Sequence, residues 1–392
     1  MTDVAERLEE LRERGLRRRL RLVESPQGPR VLLDGRPVLL LCSNNYLGLA
    51  GHPRVREAAA EAAVRWGAGA GASRLISGSM APHQELERRL AEFKGYEASL
   101  LFGSGYLANT GSIAALAGRG EVVFSDELNH ASIVDGCRLS RAETFVYRHG
   151  DVEHLEWGLR GARRSGALIV TDGVFSMDGD LAPLEELVRL ARAHGARLMV
   201  DEAHGTGAVG PGGRGAVAAA GLIDEVDLVV GTLGKALGSY GAYACGSGRL
   251  VEYLLNAARP FVFSTAPPPP SVAAAGAALE LLGEDPGRVE RLRRNAATLR
   301  SALAAEGLDT GDGETQIVPV MVGDPERAME LCERALERGV FAQGIRPPTV
   351  PEGTARLRFT AMATHDPEEL RQAARVVGEA ARMATPRLAA AA

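Results

Sequence analysis

The chain has 392 residues, 45% of them apolar and 24% charged, with a formal net charge of −5. That is too long for one small core, so two or more lobes are expected, and the mildly acidic balance excludes a general nucleic-acid footprint. The composition is that of a globular protein, and no apolar run approaches the length of a membrane span.

In chain order, Val4, Leu8, Leu11, Leu16 and Leu20 form an approximate helical stripe among charged residues, an amphipathic arm that needs something to pack on. The basic run from Arg12 to Arg21 reads as a solvated helix face. Val31 to Leu41 reads as a hairpin turning at Asp34-Gly35, followed by the polar turn Asn44 to Gly48. A helix runs from His52-Pro53 to Trp66. The glycine-rich segment Gly67 to Arg74 lets the backbone approach a ligand or a second chain closely. Its lack of charge before Arg74, and the bulky Leu75-Ile76 after it, argue against an exposed linker.

A further helix runs from Pro82 to Lys94. Short apolar strands then alternate with helices. The strands are Ser99–Phe102, Glu121–Ser125, Thr144–Tyr147, Ala167–Asp172, Ala196–Asp201 and Leu228–Gly231. Helices are expected from Gly103, near Ile133–Leu139, up to about Arg164, and over Pro183–His194. This alternation predicts a mainly parallel sheet covered by helices on both faces, an α/β fold. From Pro267 the character changes. A long helical stretch over Ser271–Glu306 precedes strands at Gln316–Val322, Val340–Arg346 and Arg356–Thr360, with helices at Pro325–Arg338 and from Pro367. The division expected is an N-terminal arm and hairpin (1–42), a large α/β domain (43–266) and a small α+β domain (267–392), with a frayed tail at Leu388–Ala392.

The four cysteines Cys42, Cys137, Cys245 and Cys332 include no C-x-x-C pair, so neither a disulfide framework nor a metal site is expected. A reducing cytoplasm is the expected location, with no nucleic-acid or membrane partner. The polar, acidic opening residues are unlike a signal peptide.

In an open α/β sheet, ligands sit outside the carboxyl ends of the strands. Ser104, Gly105 and Tyr106 follow one strand and open a helix, where backbone N–H groups suit a phosphate. His130, Ser176, Asp201 with His204, and Thr232 with Lys235 follow four others. Lys235 lies in a turn between Gly234 and Ala236, in a chain with only one other lysine, Lys94. A lysine there suits a desolvated pocket, where burial lowers its pKa and frees a nucleophilic amine. A Schiff-base lysine, a carboxylate and a phosphate cradle together suggest pyridoxal phosphate, with Asp201 as the partner of the ring nitrogen. Two other readings stand beside it. Leu198 to His204 looks like the metal-binding strand of a nucleotide-driven ATPase, but no P-loop is present, since Val229 replaces its first glycine and Ala236 its Ser/Thr. A non-catalytic binding module would not require Lys235 and Asp201 together.

The motifs Ser125-Asp-Glu-Leu-Asn-His-Ala-Ser132, Thr171-Asp-Gly-Val-Phe-Ser-Met-Asp-Gly179, Val200-Asp-Glu-Ala-His-Gly-Thr-Gly207, Gly231-Thr-Leu-Gly-Lys-Ala-Leu-Gly238 and Phe261-Val-Phe-Ser-Thr-Ala266 carry a resemblance. The chain resembles the α-oxoamine synthases, a family of fold-type I pyridoxal-phosphate enzymes. The resemblance extends from Ser43 to Pro351. It implies a seven-stranded, mainly parallel sheet, a small C-terminal domain and an N-terminal arm. It implies that Lys235 holds the cofactor covalently, Asp201 pairs with the ring nitrogen, His204 approaches the ring hydroxyl and His130 stacks on the ring. Gly105 and Tyr106 would lie beside the cofactor, Ser176 would help fix it and Thr232 would contact its phosphate. Ser264 and Thr265 would reach the phosphate from a second subunit of a homodimer with a shared active site. Arg358 would grip the amino-acid carboxylate, Thr349 would line the substrate site, Asn45 and His130 would also bind substrate, and Arg17 would contact the acyl substrate. The implied reaction is a decarboxylative condensation of an amino acid with an acyl thioester. The pattern is similar both to members that join L-alanine to pimeloyl-CoA or pimeloyl-acyl carrier protein and to members that join glycine to acetyl-CoA. Asp201–Gly207, Gly238–Gly241 and Phe263–Ala266 are nearer the first, and Asp126–Gly136 is nearer the second.

Overall fold

A computed structural model of the chain describes residues 3–14, 16–161 and 166–383. Helix α1 (Val4–Glu13) starts on Asp3, whose carboxylate accepts the Ala5 N–H, and buries none of its side chains. Its apolar stripe is therefore without cover in a single chain: Val4 is 70% exposed and Leu8 46%. The hairpin of β1 (Arg30–Leu33) and β2 (Arg36–Leu40) turns at Asp34 and Gly35, both at positive φ, the backbone that an Asp-Gly turn supplies. Helices α2 (Pro53–Trp66) and α3 (Ala81–Lys94) each carry proline in the first turn, where its missing N–H costs nothing.

The alternating region then runs β3 (Ala98–Phe102), α4 (Gly105–Leu116), β4 (Val122–Asp126), α5 (Ala131–Ser140), β5 (Glu143–Tyr147), α6 (Val152–Gly161), β6 (Ala167–Asp172), α7 (Leu184–His194), β7 (Arg197–Asp201), the short α8 (Ala216–Ala219), β8 (Leu228–Thr232), β9 (Ala242–Gly246), α9 (Gly248–Ala257) and the short α10 (Arg259–Val262). The expected end of α6 at Arg164, and the tail Leu388–Ala392, lie outside the described residues. The seven strands order as β3-β9-β8-β7-β6-β4-β5. The sheet is mainly parallel, as the alternation predicts, with one reversal. Strand β9, which the sequence reading lacks, is antiparallel to both neighbours, β3 and β8. Its sequence Ala-Tyr-Ala-Cys-Gly has no β-branched residue and follows directly on the glycine-rich turn, so nothing local marks it. Because β9 opposes both neighbours, β3 and β8 run the same way. The carboxyl ends of the other six strands therefore share one edge.

Side chains alternate faces along each strand. Val123, Leu168, Val170, Met199, Leu228 and Val230 pack with Ile113 of α4, Ile133 of α5 and Leu254 of α9. Phe124, Ile169, Leu198, Val200 and Val229 point the other way, onto Leu155 of α6 and Leu187 and Val188 of α7. Tyr243 and Cys245 of β9 join that face's neighbouring core with Leu86 and Leu90 of α3.

The C-terminal region comprises α11 (Pro269–Glu284), α12 (Gly287–Ala305), β10 (Ile317–Gly323), α13 (Pro325–Glu337), β11 (Val340–Phe341), β12 (Gln343–Ile345), β13 (Ala355–Thr360) and α14 (Pro367–Met383). The single strand expected over Val340–Arg346 is divided. Strand β11 pairs in parallel with β2, whereas β12 pairs antiparallel with β13. The chain passes between the two sheets at the buried Ala342. The N-terminal hairpin is thereby built into the same packing as the C-terminal helices, with Leu39 and Leu41 against Leu331, Val340 and Val377. Among the described residues, no helix is long and apolar enough to cross a membrane, and no cluster of three or more His, Cys, Asp or Glu side chains could hold a metal ion.

Candidate active site

The shared strand edge is where polar side chains collect. Strand β8 ends at Thr232, whose hydroxyl donates to the Gly241 carbonyl (3.1 Å) and accepts the Gly234 N–H (3.1 Å). The turn is closed further by the Gly238 N–H on the Lys235 carbonyl (2.9 Å). It packs too closely for side chains at two glycines. A Cβ on Gly238 (φ 61°) would lie 2.3 Å from the Ala50 nitrogen, and one on Gly207 (φ 77°) would lie 2.4 Å from the Ala236 Cβ.

Lys235 projects from this turn, its Nζ 2.8 Å from His204 Nε2, and His204 Nδ1 is 2.6 Å from the Tyr46 hydroxyl. Lys235 is half-buried, and protein atoms crowd its amine. That desolvation lowers its pKa to about 8, against the opposing pull of Asp201 and Asp172. His204 is buried, and burial followed by the nearby Lys235 holds it well below the ordinary histidine range. The imidazole is therefore neutral, so one nitrogen donates and the other accepts.

Asp201 closes β7 and is 3% exposed. Its carboxylate accepts from Asn109 Nδ2 (2.6 Å) and from the Ala203 N–H (2.8 Å). Asn109 also donates to the Ser132 hydroxyl (2.9 Å), which lies 2.7 Å from His130 Nδ1. The His130 N–H donates to Asp172 (2.7 Å). Burial, then the charge of Asp201, pushes the Asp172 carboxyl well above the usual carboxylate range. At the next strand end Ser104 caps α4, its hydroxyl accepting the Leu107 N–H (3.3 Å). Gly105 and Tyr106 occupy the first turn, whose N–H groups have no partner within a helix, and a Cβ on Gly105 would meet only open space. The Tyr106 hydroxyl is turned outward onto Asp135 of α5.

Arg358 enters from β13. It is 7% exposed, its Nε donates to the Ser176 carbonyl, and its terminal nitrogens lie 3.5 Å from Asn44 Oδ1. Neighbouring Arg356 is paired with Asp178, whereas no carboxylate among the described residues lies within 4.0 Å of the Arg358 guanidinium. A buried cation without a counter-ion is a place for an anionic ligand.

Asn45 is buried, its Oδ1 accepts the Ala50 N–H (3.1 Å), and Asn44 lies beside both Arg358 and the Tyr46 hydroxyl (3.0 Å). Ser176 offers its carbonyl to the site's arginine. Arg17, Thr265 and Thr349 are exposed and Ser264 is half-buried. Among the described residues, no hydrogen bond or ion pair joins these four to Lys235, Asp201 or Arg358. Tyr46, Asn109, Asp172 and Gln316, whose Nε2 donates to the His204 carbonyl (2.8 Å), join the site without being candidates in the sequence. The one local signal was Asn109, a buried amide in the apolar helix α4.

The profile of the aminotransferase class I and II family matches residues 36–377. A protein of Geobacter sulfurreducens named 8-amino-7-oxononanoate synthase is 58% identical over 94% of this chain and 95% of its own length. One of the same name from Citrifermentans bemidjiense is 55% identical over 96% and 97%. Among solved structures, a serine palmitoyltransferase from S. paucimobilis with bound PLP and myriocin superposes with a TM-score of 0.92 at 35% identity, covering 97% of each chain. An 8-amino-7-oxononanoate synthase from Francisella tularensis gives 0.77 at 26% identity, covering 88% of this chain and 98% of that one.

Proposed function

Because the chain belongs to the aminotransferase class I and II family, and its near relatives are 8-amino-7-oxononanoate synthases, we propose that its crevice joins L-alanine to a pimeloyl thioester, with pyridoxal phosphate held on Lys235. The products are 8-amino-7-oxononanoate, CO2 and the free thiol of coenzyme A or acyl carrier protein. One observation carries the reading: the strand edge brings together a lysine amine of depressed pKa, a buried carboxylate and a buried arginine that has no counter-ion among the described residues.

The residues present fit the cofactor. Lys235 would take the aldehyde. Asp201, fixed by Asn109 and Ala203, would face the ring nitrogen. His204 would approach the ring hydroxyl and His130 would lie against the ring. The open first turn at Gly105 and Tyr106, with Thr232, would receive the phosphate. When bound, pyridoxal phosphate supplies an aldehyde for an amine and a ring that stores the electron pair left at the α-carbon.

The chain's own groups do the rest. Arg358 binds the alanine carboxylate, with Asn44 beside it. Lys235, its amine free once the amino acid is bound, would take the α-proton. A base of pKa about 8 suits this, because near-neutral pH leaves a useful fraction unprotonated while the amine remains strong enough to take the proton. Asp201 would oppose a positive charge on the ring nitrogen in a water-poor site. His204, bridged to Tyr46, keeps the Lys235 amine in place. The α-carbon forms a bond to the thioester carbonyl carbon, the thiol departs, the carboxyl leaves as CO2, and a proton returns to the same carbon.

The site is shared between two copies of the chain in this reading. Ser73 and Thr265 form a bridge, so the glycine-rich segment and the Ser264-Thr265 segment make one ribbon. Ile76 beside it is 80% exposed and Phe263 71%. Such bulk is suited to a partner's surface, where Ser264, Thr265, Thr349 and Arg17 would complete the other copy's crevice.

The test is product identity. The purified protein with pyridoxal phosphate is given L-alanine or glycine, each with pimeloyl-CoA, pimeloyl-acyl carrier protein or acetyl-CoA. L-Alanine with a pimeloyl donor should be turned over fastest, giving 8-amino-7-oxononanoate by mass. Faster turnover of glycine with acetyl-CoA overturns the substrate assignment while leaving the residue roles intact.

A further inference from the structure

His149, which has no part in the mechanism above, has carboxylates at both ring nitrogens. Nδ1 is 2.9 Å from Asp126 Oδ1 and Nε2 is 2.9 Å from Asp180 Oδ2. A carboxylate only accepts, so both nitrogens donate and the ring is an imidazolium. The Phe175 ring stands edge-on to it at 4.4 Å between centroids.

The three bridged residues come from three crossovers. Asp126 ends β4, His149 follows β5 and Asp180 lies in the loop after β6. These strands are neighbours in the order β6-β4-β5, so the histidine reaches back from the sheet's edge across β4. Each anchor belongs to a loop with a site residue. Asp126 also accepts the N–H groups of Leu128 and Gly150 (2.9 Å each), fixing the turn that leads to His130. The Asp180 carbonyl accepts the Phe175 N–H (3.0 Å), closing the loop around Ser176, whose carbonyl holds Arg358.

We infer that His149 is a positioning residue: its bridge fixes the His130 loop against the Ser176 loop and so sets where Arg358 presents its guanidinium to the amino acid. The inference rests on the roles proposed above for His130 and Arg358. Its charge is secure over the working range. Burial opposes it, but the hydrogen bonds and charges of Asp126 and Asp180 outweigh that and raise the pKa to about 10.

The test is a double-mutant cycle in the cofactor-loaded protein with His149→Gln, Asp180→Ala and both. The readouts are visible cofactor absorbance, melting temperature, and kcat and KM for L-alanine. Cofactor uptake should be unchanged in each variant. KM for alanine should rise by about tenfold to a hundredfold, the scale of a misplaced binding group, with a smaller fall in kcat. The double variant should be no worse than the poorer single one. An unchanged KM in His149→Gln, or losses that multiply in the double variant, overturns the inference. If His149→Gln does not fold, KM in Asp180→Ala decides alone. A wild-type protein that takes up no cofactor instead overturns the functional reading beneath it.

Discussion

Replacing Lys235 by alanine removes the visible absorbance that the protein acquires with pyridoxal phosphate, and lowers turnover by at least about 10⁴-fold, the upper range for loss of a positioned acid–base group. The loss is this large because one amine has two uses, holding the aldehyde and moving the α-proton. No other lysine can stand in. Lys94 is 2% exposed, with its Nζ donating to the Arg214 carbonyl. The wild type adds a pH signature. Burial lowers the Lys235 pKa from the ordinary 10.5 to about 8, so the neutral amine is the minor form below that pH and the major form above it. Uptake of added cofactor should quicken as pH rises towards 8 and level off above it. A Lys235→Ala protein that still develops the absorbance, or uptake that keeps rising to pH 10, would count against this role.

Asp201→Asn should keep the cofactor and lose about 10²- to 10³-fold in kcat, the scale for removing one preorganised electrostatic partner. The substitution is isosteric, and its one amide oxygen keeps one of the two bonds that Oδ2 and Oδ1 accept from Asn109 and the Ala203 N–H, while Asn109 retains its bond to the Ser132 hydroxyl, so the fold survives. What disappears is the negative charge that makes a positive ring nitrogen favourable. The deficit should fall on the proton-removal step. Exchange of the α-deuteron of labelled alanine with solvent, measured without the acyl donor, should slow by the same factor as kcat. Unchanged exchange would remove Asp201 from the ring nitrogen.

Much of this architecture is legible in the sequence because β6, β7 and β8 are continuous apolar runs, a pattern that needs a sheet buried on both faces. The parts that escape are decided elsewhere in the chain. Strand β9 has no β-branched residue, only Tyr243 among small ones, and it is held by β3 and β8, which both present edges to it. The split at Ala342 reflects two separate strands, β2 and β13, competing for one run of residues. Helix α1 is periodic yet uncovered, since periodicity announces an apolar face without supplying its partner.

The crevice divides in the same way. Lys235, Asp201 and His204 stand at strand ends, where topology alone gathers them. Asn109, Tyr46 and Asp172 act through hydrogen bonds to residues far away in sequence, and no local pattern marks such a pairing. Asn44 beside Arg358 is a further case, since the two are brought together only by the fold. His149 is the extreme case: its two partners come from different crossovers, so its chemistry exists only once the sheet is assembled.

The most direct measurement is chemical labelling of the lysines. The protein is loaded with pyridoxal phosphate, reduced with borohydride, digested and mapped by mass. With only Lys94 and Lys235 in the chain, the assignment is unambiguous. The phosphopyridoxyl mass should appear on the peptide containing Lys235, and alanine added before reduction should diminish it. Label on Lys94 alone, or on neither lysine, would contradict the account.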